Sequence, residues 1–195
     1  NEGTTAKITS VYDKDGSKNL IGFVKKNSAI ADKCLDVNLP VIDKWNSSLE
    51  VEQIFLQGDL DGIGNKGLIV AVHDTPGTNN SADKSHHKIT MDFLNSQKLD
   101  ALIFVANATQ LKTTDEYILL KEIFEKVVKA NDLPVIFVLN KADQLDSEKE
   151  DILEIVDSYV NYLTEIGFEN PNVFPVSSKA ARILKMVKNG FSENL

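Results

Sequence analysis

The sequence predicts an α/β fold, a mostly parallel sheet with helices on both faces. Three apolar runs carry that prediction: Gly67-Leu-Ile-Val-Ala-Val72, Asp100-Ala-Leu-Ile-Phe-Val-Ala106 and Leu133-Pro-Val-Ile-Phe-Val-Leu139. Each reads as a parallel strand buried on both faces. Segments of helical spacing lie between and after them, with stripes formed by Ile118, Leu119, Ile123, Phe124 and Val127, then Ile152, Ile155, Val156, Tyr159 and Leu163. Strands alternating with helices of this length pack as βαβ units.

Taken in order, Ala6-Lys-Ile-Thr-Ser-Val-Tyr12 alternates as a strand does, and Asp13-Lys-Asp-Gly16 reads as the turn that follows. Residues 19–26 then form a returning strand, making a hairpin. In residues 28–50, Ile30, Cys34 and Val37 fit one helical face, Pro40 interrupts it, and Val41 to Trp45 start a second short helix. Val51-Glu-Gln-Ile-Phe-Leu-Gln57 is a strand. A helix spans about 84–96 after the strand at 67–72. Thr113 or Thr114 caps the next helix, with Glu116 in its first turn. Ser147 opens the helix that Gly167 closes. Asn172-Val-Phe-Pro-Val176 is a short strand, and residues 179–188 form a last helix.

At 195 residues the chain suits one domain with a real core, 42% hydrophobic and 26% charged. Its net charge of −8 argues against a nucleic-acid face and against a general electrostatic grip on anionic lipid. A local basic patch, for example at Lys25 and Lys26, remains compatible with that balance. The single Cys34 cannot form an internal disulfide, which favours a reducing, cytoplasmic compartment. It has no basic or His neighbour to activate it, so a core thiol is expected. Trp45 and Phe55 are expected to pack rather than wedge into a membrane. Asn46-Ser-Ser48, Asn79-Asn-Ser81 and Asn107-Ala-Thr109 match a glycosylation pattern, without meaning in that compartment. No apolar run approaches the roughly 18 residues that span a bilayer. The opening Asn-Glu-Gly, with no initiating Met, reads as a piece of a longer protein.

Three sequences sit at strand ends, where open α/β sheets bind ligands. Asp74-Thr-Pro-Gly77 places an acidic residue before a tight turn, able to hold a metal and to offer a backbone N–H to an anion. Read alone it is first of all turn chemistry. Asn140-Lys-Ala-Asp143 brings a carboxylate able to accept two hydrogen bonds from guanine, a Lys stem to lie along the base, and an Asn to tie neighbouring loops. Ser177-Ser178-Lys179 offers a backbone N–H to the base, although Ser-Ser before a helix is usually a cap.

In this order, and each at a strand end, the three resemble the GTPases of the P-loop class. Asp74-Thr-Pro-Gly-Thr-Asn, then Lys84-Ser-His-His-Lys-Ile-Thr-Met-Asp-Phe-Leu, then Asp100-Ala-Leu-Ile-Phe-Val further resemble the dynamin superfamily, in particular its bacterial members. Gly3-Thr-Thr-Ala-Lys-Ile-Thr9 looks like that family's switch I. The resemblance is clear over residues 67–182 and loose over 3–12; the insert at 28–50 has no counterpart. It implies a three-layer P-loop GTPase-like fold, with residues 1–195 forming part of a GTPase domain. It also implies site roles. Thr5 would coordinate Mg²⁺ and sense the γ-phosphate, the family's catalytic position here. Asp74 would hold Mg²⁺ through a water, and the Gly77 N–H would bind the γ-phosphate. Asp143 would select guanine with Lys141 packed on it, Asn140 would tie the loops, and Ser177, Ser178 and Lys179 would complete the base pocket. Thr78 stands where many small GTPases position water with Gln.

One departure is large. Gly-x-x-x-x-Gly-Lys-Ser/Thr does not occur in the 195 residues. In the resembling family that phosphate loop precedes switch I on the first strand. The first strand and P-loop are therefore expected to be absent from this chain, leaving apolar edges prone to dimerisation, strand exchange or a rearranged sheet. The parent is expected to bind GTP or GDP with Mg²⁺, hydrolyse GTP, self-associate through its GTPase domain and remodel membranes. Its lipid contacts are expected in regions outside this chain, leaving it cytoplasmic and peripheral to the membrane. This piece alone is expected not to bind GTP tightly. The alternatives are a non-catalytic GTPase-like scaffold and a ribosome- or tRNA-associated GTPase. His73, His86 and His87 lack metal-ligand spacing and read as helix-surface histidines.

Overall fold

β-Branched and aromatic residues at two-residue spacing build the first sheet, and the longer apolar runs build the second. The computed structural model describes residues 7–14, 16–17, 19–27, 29–59, 68–77, 84–146, 148 and 150–188. The chain divides into two units, residues 1–93 and 94–195.

The first unit holds a five-stranded sheet of β1 (Ile8–Asp13), β2 (Ile21–Lys26), β3 (Ala29–Cys34), β4 (Gln53–Gly58) and β5 (Ala71–Asp74), in the order β3-β2-β4-β1-β5. The expected hairpin between the first two strands does not form. β4 lies between them, parallel to β1 and antiparallel to β2. The hairpin is instead β2–β3, turning at Asn27 with φ 48°. Residues 29–34, read from sequence as a helical face, are thus a strand whose first five positions are exposed. Helix α1 (Leu39–Ser47) follows, and Pro40 starts it rather than interrupting it. Proline fits the first turn because its missing N–H has no partner there anyway. Asn38 caps the helix, its side chain accepting from Val41 N–H at 3.2 Å.

Val24, Val37, Trp45, Val51, Ile54 and Leu56 form this unit's core. Trp45 is buried, as expected, and its indole N–H donates to Asp32 at 3.0 Å. Gly22 permits the close approach of that ring: a Cβ there would stand 3.1 Å from it and 2.8 Å from Leu56. Cys34 is half-buried, donating weakly to the Asp36 carbonyl.

β5 corrects the reading of residues 67–72 as a parallel strand buried on both faces. It is four residues long, antiparallel to β1, at the edge of its sheet, and mostly exposed. Residues 60–67, including the start of that run, lie outside the described residues. Helix α2 (Lys84–Ser96) forms over the expected span.

The second unit holds a wholly parallel sheet in the order β6-β7-β8, from β6 (Leu102–Asn107), β7 (Val135–Asn140) and β8 (Asn172–Pro175). The expected parallel character is confined to this sheet and the β1–β4 pair. Thr113 caps helix α3 (Thr114–Ile123), which runs through a π-helical turn, Phe124–Val128, into α4 (Lys129–Asn131). Glu116 completes a reciprocal cap: its N–H donates to Thr113 Oγ1 at 3.2 Å and its carboxylate accepts from Lys112 N–H at 3.4 Å. Helix α5 (Ile152–Ile166) begins later than expected, capped by Asp151 rather than Ser147, which lies outside the described residues. Gly167 ends it with φ 127°. Helix α6 (Ser178–Lys188) follows β8.

Ala106, Leu120, Phe137, Leu139, Tyr159, Leu163 and Phe168 are buried together on one face of this sheet. The other face departs from the two-sided burial predicted for its strands. Ile103 and Val105 are 58% and 60% exposed, and Phe174 is 51% exposed. No described residue pairs with the outer edge of β6. Among the described residues, no helix is long and apolar enough to cross a membrane.

Candidate functional site

The best-defined candidate site lies in the second unit, at the carboxyl end of β7. There Asn140 is a hub. Its backbone carbonyl accepts from Ala108 N–H at 2.8 Å, just past β6, and its side-chain Oδ1 accepts from Ser178 N–H at 3.0 Å, at the start of α6. One residue thus ties together the loops after all three strands. The sequence requires Asn for this, since an aliphatic side chain offers no acceptor.

Lys141 then takes the left-handed conformation, φ 68°, and turns the chain into a short 3-10 helix, Ala142–Gln144. Two backbone bonds lock that turn to the end of β8, Ala142 N–H to Val176 C=O at 3.1 Å and Val176 N–H to Leu139 C=O at 2.9 Å. Lys141 and Asp143 remain exposed, and so do Ser178 and Lys179. Ser177 caps α6, its Oγ accepting from Ala180 N–H at 3.0 Å. The structure therefore brings together Asn140, Lys141, Asp143, Ser177, Ser178 and Lys179 from two chain segments. Sequence reading missed the Asn107–Thr109 turn on the same rim. Asn107 Oδ1 accepts from Thr109 N–H at 3.2 Å and from its hydroxyl at 2.9 Å, presenting Ala108 N–H to the hub. Its sequence signal is Asn-Ala-Thr, which suits an Asx turn as well as it matches a glycosylation pattern.

In the first unit, Asp74 is the last residue of β5 rather than the first of a loop, and it is exposed. Alternation turns the preceding His73 inward. Its Nδ1 lies 2.8 Å from Ser10 Oγ, and its ring packs on Phe93 with centroids 5.2 Å apart. Burial holds its pKa below the ordinary imidazole value. Pro76 is buried, and its carbonyl accepts from Thr90 Oγ1 of α2 at 3.2 Å. The turn after Asp74 is thereby anchored to the helix that follows. Gly77 is exposed and a Cβ there would meet nothing within 4 Å. Thr5 and Thr78 lie outside the described residues. Among the described residues no group of three His, Cys, Asp or Glu could hold a metal.

Neither a family model nor a curated protein matches the sequence. Solved structures do. A structure of an oligomerised bacterial dynamin pair, described as a mechanism for long-range sensing and tethering of membranes, superposes with TM-score 0.56 at 12% identity. The match covers 96% of this chain and 29% of that one. A second structure of such a pair gives 0.57 at 13% identity, with the same coverage. The chain shares its fold with part of those bacterial dynamins. The chain spans 29% of the length of the bacterial dynamins it matches. Era, solved with MgGDPNP and a segment of 16S ribosomal RNA, matches at TM-score 0.38 and 19% identity, over 92% of this chain and 46% of its own. That superposition is too loose to bear on this chain. The rim built around Asn140 lies past the carboxyl ends of the parallel strands, the end of an open α/β sheet at which ligands bind.

Proposed function

We propose that this chain is part of a dynamin-like GTPase and carries the loops that read guanine. The observation that supports this most is the Asn140–Ser178 hydrogen bond of 3.0 Å, which holds the two base-reading loops side by side. Asp143 accepts from the guanine N1–H and exocyclic amine, because an ionised carboxylate only accepts. The Lys141 stem covers the base, and Ser177, Ser178 and Lys179 border it, with a Ser178-region N–H for the guanine oxygen. In the first unit Asp74 would hold Mg²⁺ and the Gly77 N–H would meet the γ-phosphate. Thr5 would coordinate the same Mg²⁺ and sense the γ-phosphate. Mg²⁺, when bound, neutralises charge on the phosphates. The residues themselves orient the base and hold the anion.

The parent hydrolyses GTP, self-associates and remodels membranes from the cytoplasmic side, with no nucleic-acid partner. The exposed apolar edge of β6 and the likeness to an oligomerised bacterial dynamin pair support self-association. A second reading, a GTPase-like scaffold without catalysis, holds if the native parent also carries no Gly-x-x-x-x-Gly-Lys-Ser/Thr.

Calorimetric titration tests both. The 195-residue chain should show no measurable GTP binding, and a micromolar affinity would sink that expectation. The native parent with Mg²⁺ should bind GTP and GDP and discriminate against ATP. Asp143→Asn in the parent should cost at least tenfold in GTP affinity, since the amide presents a donor to guanine donors. A parent that binds no guanine nucleotide would establish the scaffold.

A further inference from the structure

β5 ends on Asp74, yet its grip on the sheet is slight. It is four residues long and, among the described residues, pairs with β1 alone. Ala71, Val72 and Asp74 are exposed, and only His73 turns inward. Its Nδ1 meets Ser10 Oγ at 2.8 Å, directly across the ladder. Ser10 is fully buried, and its Oγ also accepts from Gln53 Nε2 at 3.3 Å, on β4. A hydroxyl has one proton to give, so with the Gln53 amide donating in, that proton goes to His73 Nδ1. Apolar packing tolerates small slips between two strands, whereas a buried hydrogen bond between their side chains does not. The same imidazole packs on Phe93 of α2 and meets the Tyr12 ring edge-on, centroids 6.3 Å apart. Three residues on, buried Pro76 is tied to α2 through Thr90. Asp74 thus stands between two anchors, His73 on β1 and Pro76 on α2.

We infer that His73 is a positioning residue, whose bond to Ser10 sets where Asp74 and Gly77 stand relative to β1. β1 is the strand that follows Thr5 in sequence. The consequence rests on the nucleotide reading, in which Thr5, Asp74 and Gly77 meet the metal and the γ-phosphate. There a displacement of about 1 Å costs up to roughly 100-fold in rate. The base-reading rim is built from other residues, so nucleotide affinity and turnover should respond differently to loss of this bond.

The test has two arms. The first uses the 195-residue chain without nucleotide. His73→Phe keeps a ring for Phe93 and removes the acceptor, and Ser10→Ala removes the donor. Each should speed amide hydrogen exchange over residues 71–77 about tenfold, as the loss of one hydrogen bond would. The double variant should exchange no faster than Ser10→Ala, because both changes remove the same bond. His73→Asn, whose amide oxygen stands as far along the side chain as Nδ1, should restore slow exchange. In the native parent, His73→Phe and Ser10→Ala should each lower kcat about tenfold or more, with GDP affinity within about twofold. His73→Asn should recover most of that rate. A pair that only holds the fold would lower the melting temperature and leave kcat of the folded variants unchanged. That result overturns the inference, as do unaltered exchange rates or additive effects in the double variant. If His73→Phe does not fold, Ser10→Ala carries both arms. Asp74→Ala in the parent separates the two readings. If GTP hydrolysis survives it, the nucleotide reading of Asp74 fails and takes the positioning role with it. If hydrolysis is lost with Asp74→Ala but intact in Ser10→Ala and His73→Phe, the positioning role alone is refuted.

Discussion

At the scale of single residues, two positions that look alike in sequence carry opposite demands. Gly167 has φ 127°, and a Cβ on it would stand 2.6 Å from the Phe124 ring. Alanine there adds backbone strain to a clash in the packed end of α5, so Gly167→Ala should destabilise by about 1–3 kcal/mol in urea denaturation. Gly77→Ala should leave stability within about 0.5 kcal/mol, because a Cβ there meets open space. If Gly77→Ala in the native parent nonetheless weakened GTP binding, the glycine would be there for a ligand's approach and not for the fold. Asn140 shows a third kind of demand. Removing its acceptor in Asn140→Ala leaves Ser178 N–H without its partner and loosens the loop after β8 from the loop after β7. A loss of about 1 kcal/mol is expected, with a larger proportional loss in guanine nucleotide affinity of the parent. Equal, small effects on both would argue that the tie is structural only.

At the scale of elements, what the sequence made legible follows from the burial of each strand. The Asn140 rim was readable because β7 is a six-residue apolar run with Phe137 and Leu139 in the core, and its functional residues come directly after it. β5 was misread because its apolar residues mark an edge strand, with Val72 44% exposed, and not a doubly buried one. Periodicity cannot separate those cases when the run is apolar throughout. β3 was missed because Ala29–Cys34 leaves the core almost untouched and is held through backbone pairing with β2, which leaves no pattern. Pro40 misled for a different reason, since proline starts helices as readily as it breaks them.

α3 and α5 carry a pH signature. Glu116 is buried, accepting from Tyr159 OH at 3.0 Å, and desolvation raises its pKa despite that bond and the Lys112 N–H. A raised folded pKa gives stability that is present below the ordinary carboxylate value and lost as pH rises through the folded value. Glu116→Gln keeps an acceptor for the tyrosine and carries no charge. It should therefore stabilise the chain near neutral pH, by up to about 1 kcal/mol, and lose that advantage toward pH 4. Melting curves across that range check this, and a variant less stable than the wild type at pH 7 would refute it.

At the scale of the whole molecule, the second unit offers the larger consequence. Parallel sheets are ordinarily covered on both faces, with few open edges. Here the face carrying Ile103, Val105 and Phe174 is exposed, and the neighbouring edge of β6 is unpaired among the described residues. An apolar edge strand without proline, lysine or bulge is a template for another strand. Pairing two copies through β6 would satisfy both edges and bring two apolar faces into one, in a self-complementary arrangement natural to a two-fold dimer. Sedimentation velocity of the 195-residue chain should therefore show concentration-dependent association. Val105→Lys, which puts a charge on that face without removing a core contact, should shift the distribution toward monomer and leave the melting temperature within a few degrees. A monomer at every concentration, or a dimer indifferent to the lysine, would rule the β6 edge out. In the native parent the same substitution separates two origins of self-association. Assembly insensitive to Val105→Lys but dependent on GTP would mean that the edge is covered there and that copies meet elsewhere on the GTPase domain.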